Sequence, residues 1–233
     1  MKFSPFVSTP ALTAAILLAL SAGGAAGSAA GAAVPAKASA PSRSAPTTCR
    51  GLAADVVPAG EDYVGTDADD VILVLAPGSE VWGNYGNDLI CLYGDSYHGA
   101  VVHGGPEDDT IVSYSGSHTI SGDAGEDTVV ANGGSMEVEG GDDDDILNVG
   151  GATSATVYGG AGHDIINGSP GNDTLYGDEG NDLLRGGQGW DGHSGGVGTD
   201  DCQDSSSAID GGMFGECESV FQSPAASDGF AFG

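Results

Sequence analysis

Between residues 65 and 203 an aliphatic residue returns at every ninth position, set among glycine and polar residues. Cut into nine-residue blocks, the chain has block starts at Gly65, Val74, Gly83, Asp95, Gly104, Ser113, Gly122, Ala131, Gly140, Gly150, Gly159, Gly168, Gly177, Gly186 and Gly195. Two interruptions break the count, an insert over Leu92 to Gly94 and the single residue Val149. The eighth residues are Ile72, Val81, Ile90, Val102, Ile111, Ile120, Val129, Val138, Leu147, Val157, Ile166, Leu175, Leu184, His193 and Cys202. All but the last two are Ile, Val or Leu, so the column reads as a core. In a short strand the middle side chain points to one face and its neighbours to the other, which predicts many brief strands, each burying its eighth residue.

The sixth positions fall into two series when alternate blocks are taken together, as two nonapeptides per solenoid turn would produce. One series is Asp70, Asp88, Asp109, Asp127, Asp145, Asp164, Asp182 and Asp200, aspartate throughout. The other is Ser79, Ala100, His118, Met136, Ala155, Asp173 and Asp191, with aspartate only toward its end. Two unlike edges are expected.

From Gly159 the blocks GGAGHDIIN, GSPGNDTLY, GDEGNDLLR, GGQGWDGHS and GGVGTDDCQ run without a gap. They follow G-G-x-G-x-D-x-U-x, where U is aliphatic, and in this the chain resembles the RTX, or haemolysin-type, calcium-binding repeat family. The resemblance implies an all-β fold, a right-handed parallel β-roll solenoid with several Ca2+ ions in its turns. The metal ligands implied are Asp70, Asp88, Asp109, Asp127, Asp145, Asp164, Asp173, Asp182, Asp191 and Asp200. The chemistry suits the spacing, because parallel strands stack about 4.8 Å apart and calcium takes oxygen ligands at about 2.3 to 2.6 Å. Glycine in the turn reaches left-handed backbone angles and lets carbonyls face an ion. The fourth position departs from glycine at Ala68, Glu107 and Asp143, whereas Gly162, Gly180 and Gly198 keep it, so the strongest sites are expected toward the C-terminus. There Asp173 and Asp191 would load the second edge as well.

Charge agrees with a cation-dependent body. The chain has 34 acidic against 5 basic residues, a formal net charge of −29, and Arg185 is the only Lys or Arg between 65 and 203. Such a chain repels itself without cations. It also lacks the Lys and Arg clusters that phosphate binding requires, so no nucleic-acid partner is expected.

Lys2, the apolar run from Ala11 to Leu20 and the small residues after it read as an export signal over 1–27, removed to leave an extracellular protein without a membrane span. A flexible Ala/Ser/Pro-rich leader is expected over 28–48, an N-terminal cap over 49–64, the roll over 65–203, and a C-terminal cap and tail over 204–233. Four cysteines allow three pairings. Their placement at the two ends of the roll favours Cys49–Cys91 and Cys202–Cys217, closing terminal turns whose faces and edges are otherwise uncovered.

Gly192-His193-Ser194-Gly195-Gly196 matches G-x-S-x-G, but a nucleophile elbow needs a strand turning into a helix, and this segment joins two nonapeptides. The repeats also leave little chain for a separate catalytic core. The expected function is a secreted, non-catalytic calcium-binding protein with a structural or cell-surface interaction role. A calcium-dependent secreted hydrolase and an ice or polysaccharide binder using Thr110, Thr119, Thr128, Thr156 and Thr174 are the alternatives. Outward residues of the first series, Val71, Leu73, Leu89, Val112, Val130, Ile146, Ile165 and Leu183, form an apolar face. The segment from Gly51 to Val64 is expected to cover its start, and a protein partner or a second copy the rest.

Overall fold

The computed structural model describes residues 48–58, 60–75, 78–94, 99–204, 214–215, 217 and 219–222. The signal expected over 1–27 and nearly all of the leader expected over 28–48 therefore lie outside the described residues. Among the described residues the chain is all β, a parallel solenoid of about 8 turns. Two sheets form its walls. A ten-stranded sheet runs in chain order from Asp55–Val57 and Val71–Val74 to Asp201–Asp204 and Ser219–Gln222. A nine-stranded sheet alternates with it, from Tyr63–Val64 and Glu80–Trp82 to Gly192–Val197 and Phe214–Gly215.

The ninefold column sets this register. In the ten-stranded sheet Ile111 lies beside Val129, then Leu147, Ile166, Leu184 and Cys202, each the eighth residue of its block. In the other sheet Val81, Val102, Ile120, Val138, Val157, Leu175 and His193 align in the same way. All of these side chains are buried. Burying each Ile, Leu or Val contributes about 1.5 to 3 kcal/mol, and a one-residue slip would turn the column to solvent, so the column holds the strands in phase. Both interruptions in the repeat fall at irregularities of pairing: the register shifts between Leu92 and Tyr93, and between Val130 and Asn132 opposite Val149. The extra Val149 is itself fully buried.

The nonapeptide count places the start of the roll at Gly65, but strand pairing begins earlier. Asp55–Val57 pairs with Val71–Val74, and Tyr63–Val64 with Glu80–Trp82, so much of the segment expected as a lid is a further turn. It carries the aliphatic alternation of a strand without the glycine turn, which hid it from the count. The cover is shorter. An antiparallel pair, Thr48–Cys49 with Leu52–Ala53, precedes that turn. Cys49 and Ala54 pack with Leu73, Cys91 and Val112 on the outer face of the ten-stranded sheet. Leu73 and Cys91 are thereby fully buried, while Ile146 and Ile165, farther along the same face, are 46% and 36% exposed.

Both expected disulfides, Cys49–Cys91 and Cys202–Cys217, are present. The first ties the cover to the face it protects. The second starts from Cys202, which stands buried in the aliphatic place of the inward column. His193 is likewise buried, in the aliphatic place of the nine-stranded sheet beside Leu175.

Candidate metal edge

The two corners of each solenoid turn carry the sixth-position residues. On the first edge the turns repeat one backbone form, with left-handed residues at the second and fourth positions. These are Gly105 and Glu107, Asp123 and Gly125, Gly141 and Asp143, Gly160 and Gly162, Asp178 and Gly180, and Gly196 and Gly198, preceded by Asn84 and Gly86. Besides Glu107, the non-glycine residues in these places are Asn or Asp, the side chains that best tolerate φ above zero.

This backbone sets the aspartates in a ladder. Asp88 N–H donates to Asp109 Oδ1 at 2.7 Å, Asp109 to Asp127 at 2.7 Å, Asp127 to Asp145 at 2.8 Å, and Asp145 to Asp164, Asp164 to Asp182 and Asp182 to Asp200 at 2.9 Å. The second oxygen of each carboxylate faces the corner. The Oδ2 atoms of Asp88, Asp109, Asp127, Asp145, Asp164 and Asp182 are buried with no hydrogen-bond partner among the described residues. A buried carboxylate oxygen left so is costly unless a proton or cation meets it.

Glycine shapes the space in front of that oxygen. A methyl group on Gly83, Gly104, Gly122, Gly140, Gly159 or Gly177 would overlap both the Oδ2 of its own block's aspartate and the carbonyl oxygen of the first glycine one turn on. Six cradles of carbonyl and unpartnered carboxylate oxygen thus repeat along the edge, while the matching space at Gly65 is bounded by Gly83 O and by an Asp70 Oδ2 that Thr66 holds. A hard, oxygen-seeking cation such as calcium fits this donor set. Among the described residues no group of three or more His, Cys, Asp or Glu side chains converges on one point, so carbonyls have to complete any ligand shell.

Burial foremost, with neighbouring carboxylates adding to it, holds these acids protonated to unusually high pH. Asp109 and Asp145 are raised to about 8, Asp127 to about 7, and Asp88 and Asp164 to about 6, although the backbone N–H each accepts pulls the other way. Asp182 is raised for the same leading reason.

The other expected ligands stand differently. Asp70 Oδ2 accepts from Thr66 N–H at 2.6 Å and from Thr66 Oγ1 at 3.0 Å. Asp173 Oδ2 accepts from Ser169 N–H at 2.6 Å, and its Oδ1 from Ser169 Oγ at 3.0 Å. Asp191 and Asp200 lie in turns with left-handed second and fourth glycines, Gly187 with Gly189 and Gly196 with Gly198. The corners that would follow theirs lie outside the described residues.

Elsewhere the second edge is joined by its own side chains. His118 Nδ1 accepts the Ala100 N–H at 3.0 Å, so its Nε2 carries the proton and donates to Ser115 O at 2.8 Å. Burial lowers its pKa and favours this neutral form. A fifth-position ladder was not foreseen from the repeat. Glu126 N–H donates to Asp108, His163 N–H to Asp144, Asn181 N–H to His163 Nδ1, and Thr199 N–H to Asn181. These side chains share only the ability to accept a hydrogen bond, which leaves no fixed letter in the repeat. Gly192–Val197 is a strand, so Ser194 does not sit on an elbow.

Residues 103–135, 149–184, 158–192 and 167–201 each match the family model of the RTX calcium-binding nonapeptide repeat. Those windows contain Asp109, Asp127, Asp164, Asp173, Asp182, Asp191 and Asp200. Neither the comparison with curated proteins nor that with solved structures gave a match. The ninefold column, the ladder of aspartates and the matched windows agree: over 103–135 and 149–201 the roll carries four copies of the RTX calcium-binding nonapeptide repeat.

Proposed function

We propose that the protein is a secreted, non-catalytic calcium-binding module that folds on calcium and serves a structural or cell-surface interaction role. Asp88, Asp109, Asp127, Asp145, Asp164 and Asp182 would hold the ions together with the first-glycine carbonyls, and Asp191 and Asp200 would extend the series. One observation carries this reading: each of the six cradles sets a buried, unpartnered Oδ2 against a carbonyl, in a space that any side chain would fill. Bound calcium supplies positive charge that offsets the buried carboxylates. Extracellular calcium modules commonly bind at about 10⁻⁴ to 10⁻³ M, far above cytoplasmic calcium, so the chain would stay expanded before export and fold outside. Two disulfides suit an oxidising compartment. The uncovered Ile146 and Ile165 support a protein contact on the ten-stranded face.

The test is a calcium titration of the chelator-treated, disulfide-intact protein, followed by far-ultraviolet circular dichroism and by sedimentation. A cooperative gain of β signal near millimolar calcium, absent with magnesium, is expected. A spectrum already fully β in chelator and unmoved by calcium would overturn folding on calcium. Sedimentation of the loaded protein as a monomer at high concentration would exclude a second copy as the partner.

A further inference from the structure

The ten sixth-position aspartates are alike in the repeat but not in their hydrogen bonding, and the second position of the turn divides them. In the six cradle turns that residue is Asn84, Gly105, Asp123, Gly141, Gly160 or Asp178, each at positive φ. In the turns of Asp70 and Asp173 it is Thr66 or Ser169, neither of them left-handed. There its backbone N–H donates to the carboxylate oxygen that the cradle turns leave without a partner.

The hydroxyl also reaches the aspartate in both turns, on Oδ2 of Asp70 and on Oδ1 of Asp173. Thr66 Oγ1 donates to Asp70 and accepts the Ala68 N–H at 3.3 Å; Ser169 Oγ donates to Asp173 and accepts the Gly171 N–H at 3.0 Å. This is the local side chain to backbone bonding by which Ser and Thr hold a turn. Two turns about a hundred residues apart in the chain, on opposite edges, reach it independently. The fourth position does not decide the form, because it is alanine in one and glycine in the other, and Gly171 is not left-handed. Nor does proline at the third position, because Pro170 stands in a hydroxyl-held turn and Pro106 in a cradle turn.

We propose that a Ser or Thr at the second position converts an RTX turn of this roll into one that closes on itself without metal. Asp70 and Asp173 are then structural hydrogen-bond acceptors rather than calcium ligands. Thr66 and Ser169 are the residues that set the ion count. The C-terminal end is therefore not loaded on both edges at Asp173, contrary to the count of aspartates alone. This inference rests on the calcium reading of the cradles.

The test measures calcium bound per protein at saturation, by equilibrium dialysis with elemental analysis, and thermal midpoints at saturating and at tenfold lower calcium. Asp164→Asn is expected to lose at least one ion and to lower the midpoint more at saturating calcium than at the lower level. Asp173→Asn is expected to keep the wild-type ion count and to lower both midpoints alike. Ser169→Gly removes the hydroxyl and lets the second position take the left-handed form of the cradle turns, which turns its N–H away from Asp173 Oδ2, and it is expected to add one ion. Should Asp164→Asn keep the full count, the cradles are not calcium sites. Should Asp164→Asn lose ions and Asp173→Asn lose them too, the cradles stand and the proposal falls. A Ser169→Gly protein that folds in calcium with an unchanged count overturns the proposal without requiring Asp173→Asn to fold.

Discussion

Left-handed positions are where single residues bear most strain in this roll. Asp143 sits at φ 79, in the fourth place that glycine fills in the neighbouring turns, and its side chain makes no hydrogen bond among those described. A non-glycine residue there costs roughly 1 to 2 kcal/mol, partly offset by the extra freedom glycine has when unfolded. Asp143→Gly should therefore stabilise the protein by about 1 kcal/mol, read as a higher thermal midpoint. Gly180→Ala should do the reverse and cost more, because at φ 142 its new methyl would overlap the Gly162 carbonyl oxygen. Equal midpoints for Gly180→Ala and the parent would contradict the turn form described. Much at this scale was legible beforehand. Glycine in the fourth place and aliphatics in the eighth are demanded by backbone angle and by burial, and both demands leave a fixed letter. The roles of Thr66 and Ser169 were not legible, since aspartate six places into the block looks the same whether its oxygen faces an ion or a hydroxyl.

At the scale of an edge, two ladders of hydrogen bonds run in opposite directions. Through the sixth positions the N–H of one turn reaches the aspartate of the next, as from Asp127 to Asp145. Through the fifth positions the N–H reaches back, as from His163 to Asp144. The sixth-position carboxylates answer acid differently with and without an ion before them. In the metal-free roll Asp109 and Asp145 hold their protons up to about 8, and Asp127 to about 7, chiefly through burial. An unfolded aspartate releases its proton near 3.9. The folded form thus binds protons more tightly, and the metal-free roll gains stability as pH falls from about 8 toward about 4. With calcium saturating, the same groups serve ionised, and protonation competes with the metal, so stability falls over that window. The fraction folded, followed by circular dichroism against pH in chelator and in calcium, should show slopes of opposite sign. Parallel slopes would mean that the carboxylates do not meet the ion. The sixth-position ladder could be anticipated from eight aspartates in phase, whereas Asp108, Asp144, His163 and Asn181 have no common side chain to reveal the other.

For the molecule as a whole, the repeat predicts the middle well and the ends less well. The first turn, built from Asp55–Val57 and Tyr63–Val64, has no glycine corner to announce it, and its pairing comes from backbone hydrogen bonding that many sequences satisfy. The cover over Leu73 and Val112 depends on Cys49, whose pairing was legible because terminal turns need closing. The two covalent links lie toward opposite ends and leave the chain between Cys91 and Cys202 without a crosslink. Under tension applied across Cys49 and Cys217, the loops closed by the disulfides cannot pay out, and the stretch between them can. Roughly 110 residues at about 3.5 Å each give on the order of 400 Å of released length. Single-molecule stretching should reach that extension and stop, and reduction of the disulfides should lengthen it. Anchored at a surface, the protein would act as a tether of fixed maximum length, whose resistance to being drawn out is set by the calcium around it.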